Sequence, residues 1–158
     1  MNDSITYFIT WTTYGAWLPG DARGWRKTTA GPQLARPRLE EWCRSRMTEN
    51  PILLDDDQRL RVEAVCRKHA AIRGWALHAV SVRSNHVHIV VTADKPPELV
   101  RDQFKANATR VLRESPGAID QEKVWARGGD CEIVDGETNL ERVIQYVTEA
   151  QDRKGRDP

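Results

Sequence analysis

His86, Val87 and His88 are the residues of this chain whose types and spacing offer chemistry most directly. Side chains on a strand alternate faces, so both imidazoles project to one side while Val87 and Ile89 go to the other. Neutral imidazole is the commonest protein metal ligand, and two on one strand face can hold a divalent cation when a third donor arrives from elsewhere. The same pattern also fits two histidines on the solvated face of an antiparallel strand. Tyr146 is the second group of interest, interrupting a surface of Glu141, Arg142, Gln145 and Glu149. A phenol is a nucleophile when something offsets the cost of charging it. A cation on the His pair would also polarise a phosphate, so metal and tyrosine make chemical sense together. Without the pair, Tyr146 reads as an amphipathic side chain sealing a helix onto a sheet.

These groups need elements to position them. Ser4 to Thr12 is dense in β-branched and aromatic residues and predicts a first strand. Gly15, Pro19, Gly20 and Gly24 then break any period, while Tyr14, Trp17, Leu18 and Trp25 supply apolar bulk, which predicts an ordered loop packed by its aromatics. Residues 28–37, with Gly31, Pro32 and Pro37, are the expected flexible stretch, followed by a short helix around Leu39 to Arg46. A helix begins in the acidic turn at Asp55 and ends at Gly74, with Leu60, Ala64, Val65, Ala70 and Ile72 as its expected stripe. Residues 75–83 and 86–92 are strands separated by Ser84 and Asn85, hence an antiparallel hairpin carrying the His pair. Pro96 and Pro97 open a second long helix to about Arg113, with Leu99, Phe104, Ala108, Val111 and Leu112 as its stripe. Residues 123–126 and 131–134 flank Arg127 to Asp130 and predict a further strand pair or a strand with a glycine loop. A last helix, Asn139 to Arg153, buries Leu140, Val143, Ile144 and Val147 and carries Tyr146. This order predicts an α+β sandwich of the split βαβ type, with an antiparallel sheet and helices on one face.

Composition bounds the possibilities. The 158 residues suit one domain spanning 1–158. No apolar run approaches the roughly 20 residues needed to span a bilayer, and polar Asn2, Asp3 and Ser4 predict no secretory leader, so a cytoplasmic protein is expected. Cys43, Cys66 and Cys131 form no Cys-x-x-Cys pair and read as reduced packing thiols. Lys plus Arg number 24 and Asp plus Glu 23, so bulk charge gives no argument for nucleic acid. Its distribution does: Asp21 to Met47 holds seven basic residues (Arg23, Arg26, Lys27, Arg36, Arg38, Arg44, Arg46) against three acidic ones, which could face phosphates or simply be solvated.

Asn85-His-Val-His-Ile-Val-Val91, after a hairpin strand and before a helix, resembles the HUH motif of single-tyrosine transposases. Tyr146-Val-Thr-Glu-Ala-Gln151 resembles that family's tyrosine helix. Thr10-Trp-Thr-Thr-Tyr-Gly-Ala-Trp-Leu-Pro-Gly-Asp21, with Arg23-Gly-Trp25, resembles its insertion-sequence and REP-associated members. The resemblance implies a ferredoxin-like or RRM-like sheet and a small transposase that binds single-stranded DNA, often as hairpin ends. Cleavage would leave a 5′-phosphotyrosine link and a free 3′-hydroxyl, and rejoining would reverse it. Carried over by position, His86 and His88 are metal ligands, Tyr146 is the nucleophile, Mg²⁺ or Mn²⁺ is the cofactor, and a homodimer is expected in which a tyrosine can serve either protomer's His pair. One departure stands out. The family commonly places a Gln four residues after the tyrosine to complete the metal site, whereas here that position is Ala150 and the Gln is Gln151. At about 100° per residue, Gln151 lies some 140° from Tyr146 and Glu149 within about 60°. Either the helix is distorted and Gln151 is the third ligand, or Glu149 is.

Other residues are weaker candidates. Lys105 and Arg110 could contact phosphates from the helix after the His strand, or merely solubilise it. Trp17, with Trp11, Tyr14 and Trp25, could stack bases, and Arg23 could pair with backbone or base edges, unless these residues only close a loop over the core. His69 and His78 read as packing or surface residues. Two alternatives to the transposase follow from the same residues: a binding module of the same fold without catalysis, and an unrelated metal hydrolase using the His pair to activate water.

Overall fold

The computed structural model describes residues 3–27 and 29–150. Its elements are β1 (Ile5–Thr12), β2 (Trp25–Lys27), β3 (Gly31–Gln33), α1 (Pro37–Ser45), α2 (Asp56–Arg73), β4 (Ala76–Val82), β5 (His86–Ala93), α3 (Pro97–Glu114), β6 (Asp130–Ile133) and α4 (Glu137–Gln145), which runs into a π-helical turn (Tyr146–Ala150). The four longer strands form one antiparallel sheet of order β4-β5-β1-β6, and β2 and β3 form a separate hairpin. This is the α+β class expected of the sequence.

Alternation along the two central strands divides the molecule into two cores. Tyr7, Ile9 and Trp11 of β1 and Val87, Ile89 and Val91 of β5 face α2 and α3, meeting Val62, Cys66, Phe104 and Leu112. Each such aliphatic or aromatic side chain contributes about 1.5–3 kcal/mol by leaving water. On the other face, Phe8, Ala79 and Val90 meet Val147, Leu140, Val143 and Ile144 of the terminal helix. The one-sided helix layer thus describes α2 and α3, while α4 crosses to the opposite face. Because both faces are covered, β5 is buried along almost its whole length, His pair included.

Helix starts and stops follow from their caps. The Asp55 carboxylate accepts from the Gln58 backbone N–H and the Gln58 side-chain oxygen accepts from the Asp55 backbone N–H, and Gly74, with φ of 72°, closes α2 in the left-handed region. The buried stripe of α2 differs from the expected one: Gln58, Val62, Val65, Cys66, His69 and Ala70 face inward, while Leu60 and Ile72 are 65% and 70% exposed. The apolar residues of α2 fit two overlapping helical stripes, and pairing of His69 with Gln103 and Asn107 of α3 accompanies the polar one. In α3, Val100 takes the inward place expected of Leu99.

Of the stretch expected to be flexible, Gly31–Gln33 forms β3, which pairs with β2 just before that stretch, and Gly31 begins β3 at φ of 75°. Of the two arrangements expected for residues 123–134, a strand with a glycine loop is the one found: 123–126 and 131–134 do not pair with each other, and Gly128 and Gly129 lie in the loop before β6. Both segments lie along β1, through a Thr13–Trp125 bridge and through β6 at Thr10–Asp130 to Tyr7–Ile133.

Candidate functional site

The β1–β5 register places Thr10 opposite His88 and Thr12 opposite His86. The two imidazoles project from the same face, with ring centroids 4.7 Å apart. They are 5% and 4% exposed, so they are not a solvated pair. Buried polar groups need partners, and each ring is held through Nδ1. His86 Nδ1 lies 2.6 Å from Asn85 Oδ1, and His88 Nδ1 lies 2.7 Å from Thr10 Oγ1. A carboxamide oxygen only accepts, so His86 Nδ1 carries the hydrogen and Nε2 the lone pair. Asn85 is itself fixed, its backbone oxygen accepting from the Thr13 amide at 2.9 Å.

Tyr146 ends α4 and begins the π-helical turn. Its ring lies edge-on to His88, centroids 5.9 Å apart, and edge-on to Phe8 at 6.1 Å. Val147 beside it is fully buried against Ala79 and Val90, which docks this end of the helix to the sheet. The chain's own tyrosine is therefore brought to its own His pair. π-helical turns are rare and concentrate at functional sites. Glu149 is exposed, and Gln151 lies outside the described residues.

A groove of about 560 Å³ leads away from the histidines, lined by Thr10, Thr12, Asp130 and, from the loop and β2–β3 hairpin, Trp17, Arg23, Trp25 and Arg26. The Arg23 guanidinium sits 3.9 Å over the Trp17 ring. Its Nε and Nη2 donate to the Asp21 carboxylate at 2.9 and 2.8 Å, and Nη2 also donates to the Ala16 carbonyl at 2.8 Å. These hydrogen bonds hold the Asp21 carboxyl below its ordinary range and push the guanidinium up. Trp17 Nε1 donates to the Gly24 carbonyl at 2.7 Å, so the loop is a stacked, internally bonded wall.

Lys105 and Arg110, by contrast, lie on α3, across the sheet from the histidines. Lys105 Nζ donates to the carbonyls of Ala126 and Gly128 at 3.1 and 2.9 Å, and burial lowers its pKa. Arg110 is exposed and pairs with Glu114 at 3.4 Å. Thr10, Asn85 and Phe8 are site residues that sequence reasoning missed. Only Asn85 carried a local signal, its place directly before His86; Thr10 and Phe8 reach the site through strand register.

The donor set suits a divalent cation. His86 presents a tautomer with its lone pair on Nε2, and each ring is oriented by an oxygen partner, as ligating histidines are. Among the described residues no cluster of three or more His, Cys, Asp or Glu adds a ready-made third ligand. The residues that would hold the ion are His86 and His88, with an oxygen from elsewhere.

Residues 46–150 match the family model described as transposase IS200 like. The chain is also similar in structure to a REP-associated tyrosine transposase bound to a REP hairpin, with a TM-score of 0.59 at 12% identity over 96% of this chain and 69% of that one. A second similar structure is a candidate transposase from Deinococcus radiodurans R1, with a TM-score of 0.50 at 15% identity over 94% of this chain and 91% of the other. At these identities the likenesses speak for the fold. No curated protein matches the chain. No helix among the described residues is long and apolar enough to cross a membrane.

Proposed function

The chain belongs to the IS200-like transposase family of DNA-rearranging enzymes, and from that premise we propose that it cleaves and rejoins single-stranded DNA through Tyr146 at a site built on His86 and His88. The observation that carries this reading is the placement of the Tyr146 ring 5.9 Å from His88, which itself lines an aromatic and Arg-rich groove. The strand would lie in that groove, with bases against Trp17 and Trp25 and with Arg23 and Arg26 toward its backbone or base edges. Lys105 would act indirectly, by holding the 126–128 loop, and Arg110 would remain a peripheral contact for DNA beyond the groove. The similar REP-associated tyrosine transposase is bound to a REP hairpin, and hairpin-end DNA is the substrate class proposed here.

In the cleavage step the Tyr146 oxygen bonds to the phosphorus as the bond from phosphorus to the 3′ oxygen breaks. The phenol proton passes to water, and the departing oxygen takes up a proton to become a 3′-hydroxyl. A second 3′-hydroxyl attacking the phosphotyrosine reverses these changes and joins the strands. Mg²⁺ or Mn²⁺, when bound, supplies polarisation of the phosphate and offsets its developing charge. Asn85 and Thr10 orient the two imidazoles, Phe8 packs the tyrosine ring, and Val147 anchors its backbone.

Gln151 stands five residues after Tyr146. It lies outside the described residues, so it is the proposed third ligand by its likeness to the family's Gln, with the exposed Glu149 as the alternative. One chain, acting as one domain, carries the whole site.

The test is a gel assay for a covalent protein–DNA adduct. It uses single-stranded DNA from the flanks of the native gene, with and without Mg²⁺ or Mn²⁺, for the natural chain, Tyr146→Phe and His86→Ala. The adduct is expected with metal in the natural chain and in neither variant. Adduct formation unchanged in Tyr146→Phe would overturn the assignment, and nicking without an adduct in that variant would point to a hydrolase. Salt-sensitive binding with no adduct in the natural chain would favour a binding module, the reading the displaced Gln151 motivates.

A further inference from the structure

Between its bridge to Trp125 at Thr13 and its pairing with Asp130 at Thr10, β1 advances three residues while the facing chain advances five. Two extra residues are therefore bulged out within Arg127, Gly128 and Gly129. Bulges of this kind recur beside active sites, where they re-aim groups out of the ladder. Here three carbonyls of the loop turn toward α3. Those of Ala126 and Gly128 accept from Lys105 Nζ, and that of Gly129 accepts from Arg101 Nη1 at 3.4 Å. The amide N–H groups of Arg127, Gly128 and Gly129 make no hydrogen bond among the described residues.

The loop also lies against β1 closely enough to need glycine. A Cβ at Gly129, whose φ is 141°, would meet the Thr10 carbonyl oxygen at 2.5 Å and the Trp11 Cβ at 3.2 Å. The outer surface it leaves is a trough of about 470 Å³ lined by Thr10, Thr12, Arg127, Gly128 and Asp130 among others. Thr10, Thr12 and Asp130 line the His-pair groove as well, so the two run together. Amides freed by carbonyls tied elsewhere, next to an exposed guanidinium, form an anion-holding concavity. Asp130 repels anions, which confines them to the Arg127 end.

We propose that the Arg127–Gly129 bulge holds a backbone phosphate of the DNA strand whose neighbouring phosphate lies at His86 and His88. This rests on the proposed strand-processing role of the His pair and adds the contact that sets how the strand runs past it. Arg127 and the loop amides hold this phosphate, while Lys105 and Arg101 shape the loop from behind.

The experiment titrates a fluorescein-labelled single-stranded oligodeoxynucleotide from the gene flanks by anisotropy across salt concentrations. It compares the natural chain, Arg127→Ala and Lys68→Ala, the last removing an equal charge from the exposed side of α2. A series of oligonucleotides follows, each with one uncharged methylphosphonate. Arg127→Ala is expected to weaken binding several-fold and to flatten the slope of log K against log salt by about 0.7, the value of one single-strand phosphate contact. Lys68→Ala should leave the slope unchanged. In the natural chain one methylphosphonate position should weaken binding, and in Arg127→Ala that position should cease to matter. Equal slopes for Arg127→Ala and Lys68→Ala, or the same methylphosphonate penalty in both proteins, would overturn the proposal while leaving the His-pair reading intact. If the natural chain itself shows no salt-dependent binding of the strand, the reading on which the proposal rests falls with it.

Discussion

Asn85 decides which nitrogen His86 offers. Its carboxamide oxygen, 2.6 Å from Nδ1, accepts the Nδ1 hydrogen and leaves the lone pair on Nε2. Replacing it by alanine should cost the site about 10- to 100-fold in metal affinity, the range for losing an orienting partner. Calorimetric titration of Mn²⁺ into Asn85→Ala checks this, and unchanged affinity would remove Asn85 from the site. The His pair and Tyr146 were legible in the sequence because each carries its signal locally, in a period-two strand or an amphipathic helix. Thr10 was not, since it meets His88 only through strand pairing 78 residues away. Arg23 was legible as a cation but not as one already committed to Asp21 and the Trp17 ring, because that partnership depends on how the loop folds.

At the scale of elements, the terminal helix is the lightly held part. It reaches the sheet through a small cluster of Ala79, Val90 and Val147, with Phe8, Leu140, Val143 and Ile144 around it. Val147→Ala deletes two buried methyl groups, worth about 1.6 kcal/mol at ~0.8 kcal/mol each. The loss should fall on docking of α4 more than on global unfolding. Hydrogen exchange should therefore quicken across residues 137–150 while the main melting transition moves little, and adduct formation should slow. A proportionate fall in the melting temperature with no local change would place α4 inside the main cooperative unit. Strand and helix order was readable from periodicity, as was the hairpin bearing the histidines. The stripe of α2 was misplaced because pattern alone ranks Leu60 above Gln58, whereas tertiary contact buries Gln58 and exposes Leu60. The β2–β3 hairpin was missed because two three-residue strands around Gly31 and Pro32 carry too few residues for a period.

For the molecule as a whole, the pairing of Tyr146 with His88 in one chain predicts action in cis. In a mixture of Tyr146→Phe and His86→Ala, no adduct should form on the gel even if the protein is a homodimer by sedimentation. Adduct restored by mixing would mean that protomers exchange tyrosines. Stability should show an alkaline edge from Cys66. Burial pushes its thiol up to about 12, whereas a thiol in the unfolded chain titrates near 8.5. Its contribution is therefore complete below about pH 8.5 and is lost as pH rises through the folded value, since only the unfolded chain readily gives up the proton. Melting curves from pH 8 to 10.5 should fall more steeply for the natural chain than for Cys66→Ala. Parallel curves would show that the thiol does not contribute.

The alternation of β5 between its two faces has one more consequence, for quality control during folding. A slip of one residue against β1 or β4 would turn His86 and His88 into the core of α2 and α3 and send Val87, Ile89 and Val91 to the outer face. Buried imidazoles without oxygen partners and three misplaced aliphatic side chains make that arrangement far less stable than the native one. The pairing that builds the site is thus also the pairing that the hydrophobic core enforces. A chain that mispairs β5 loses the candidate site and its stability together, so an undamaged fold with a scrambled His pair is not an available product of misfolding.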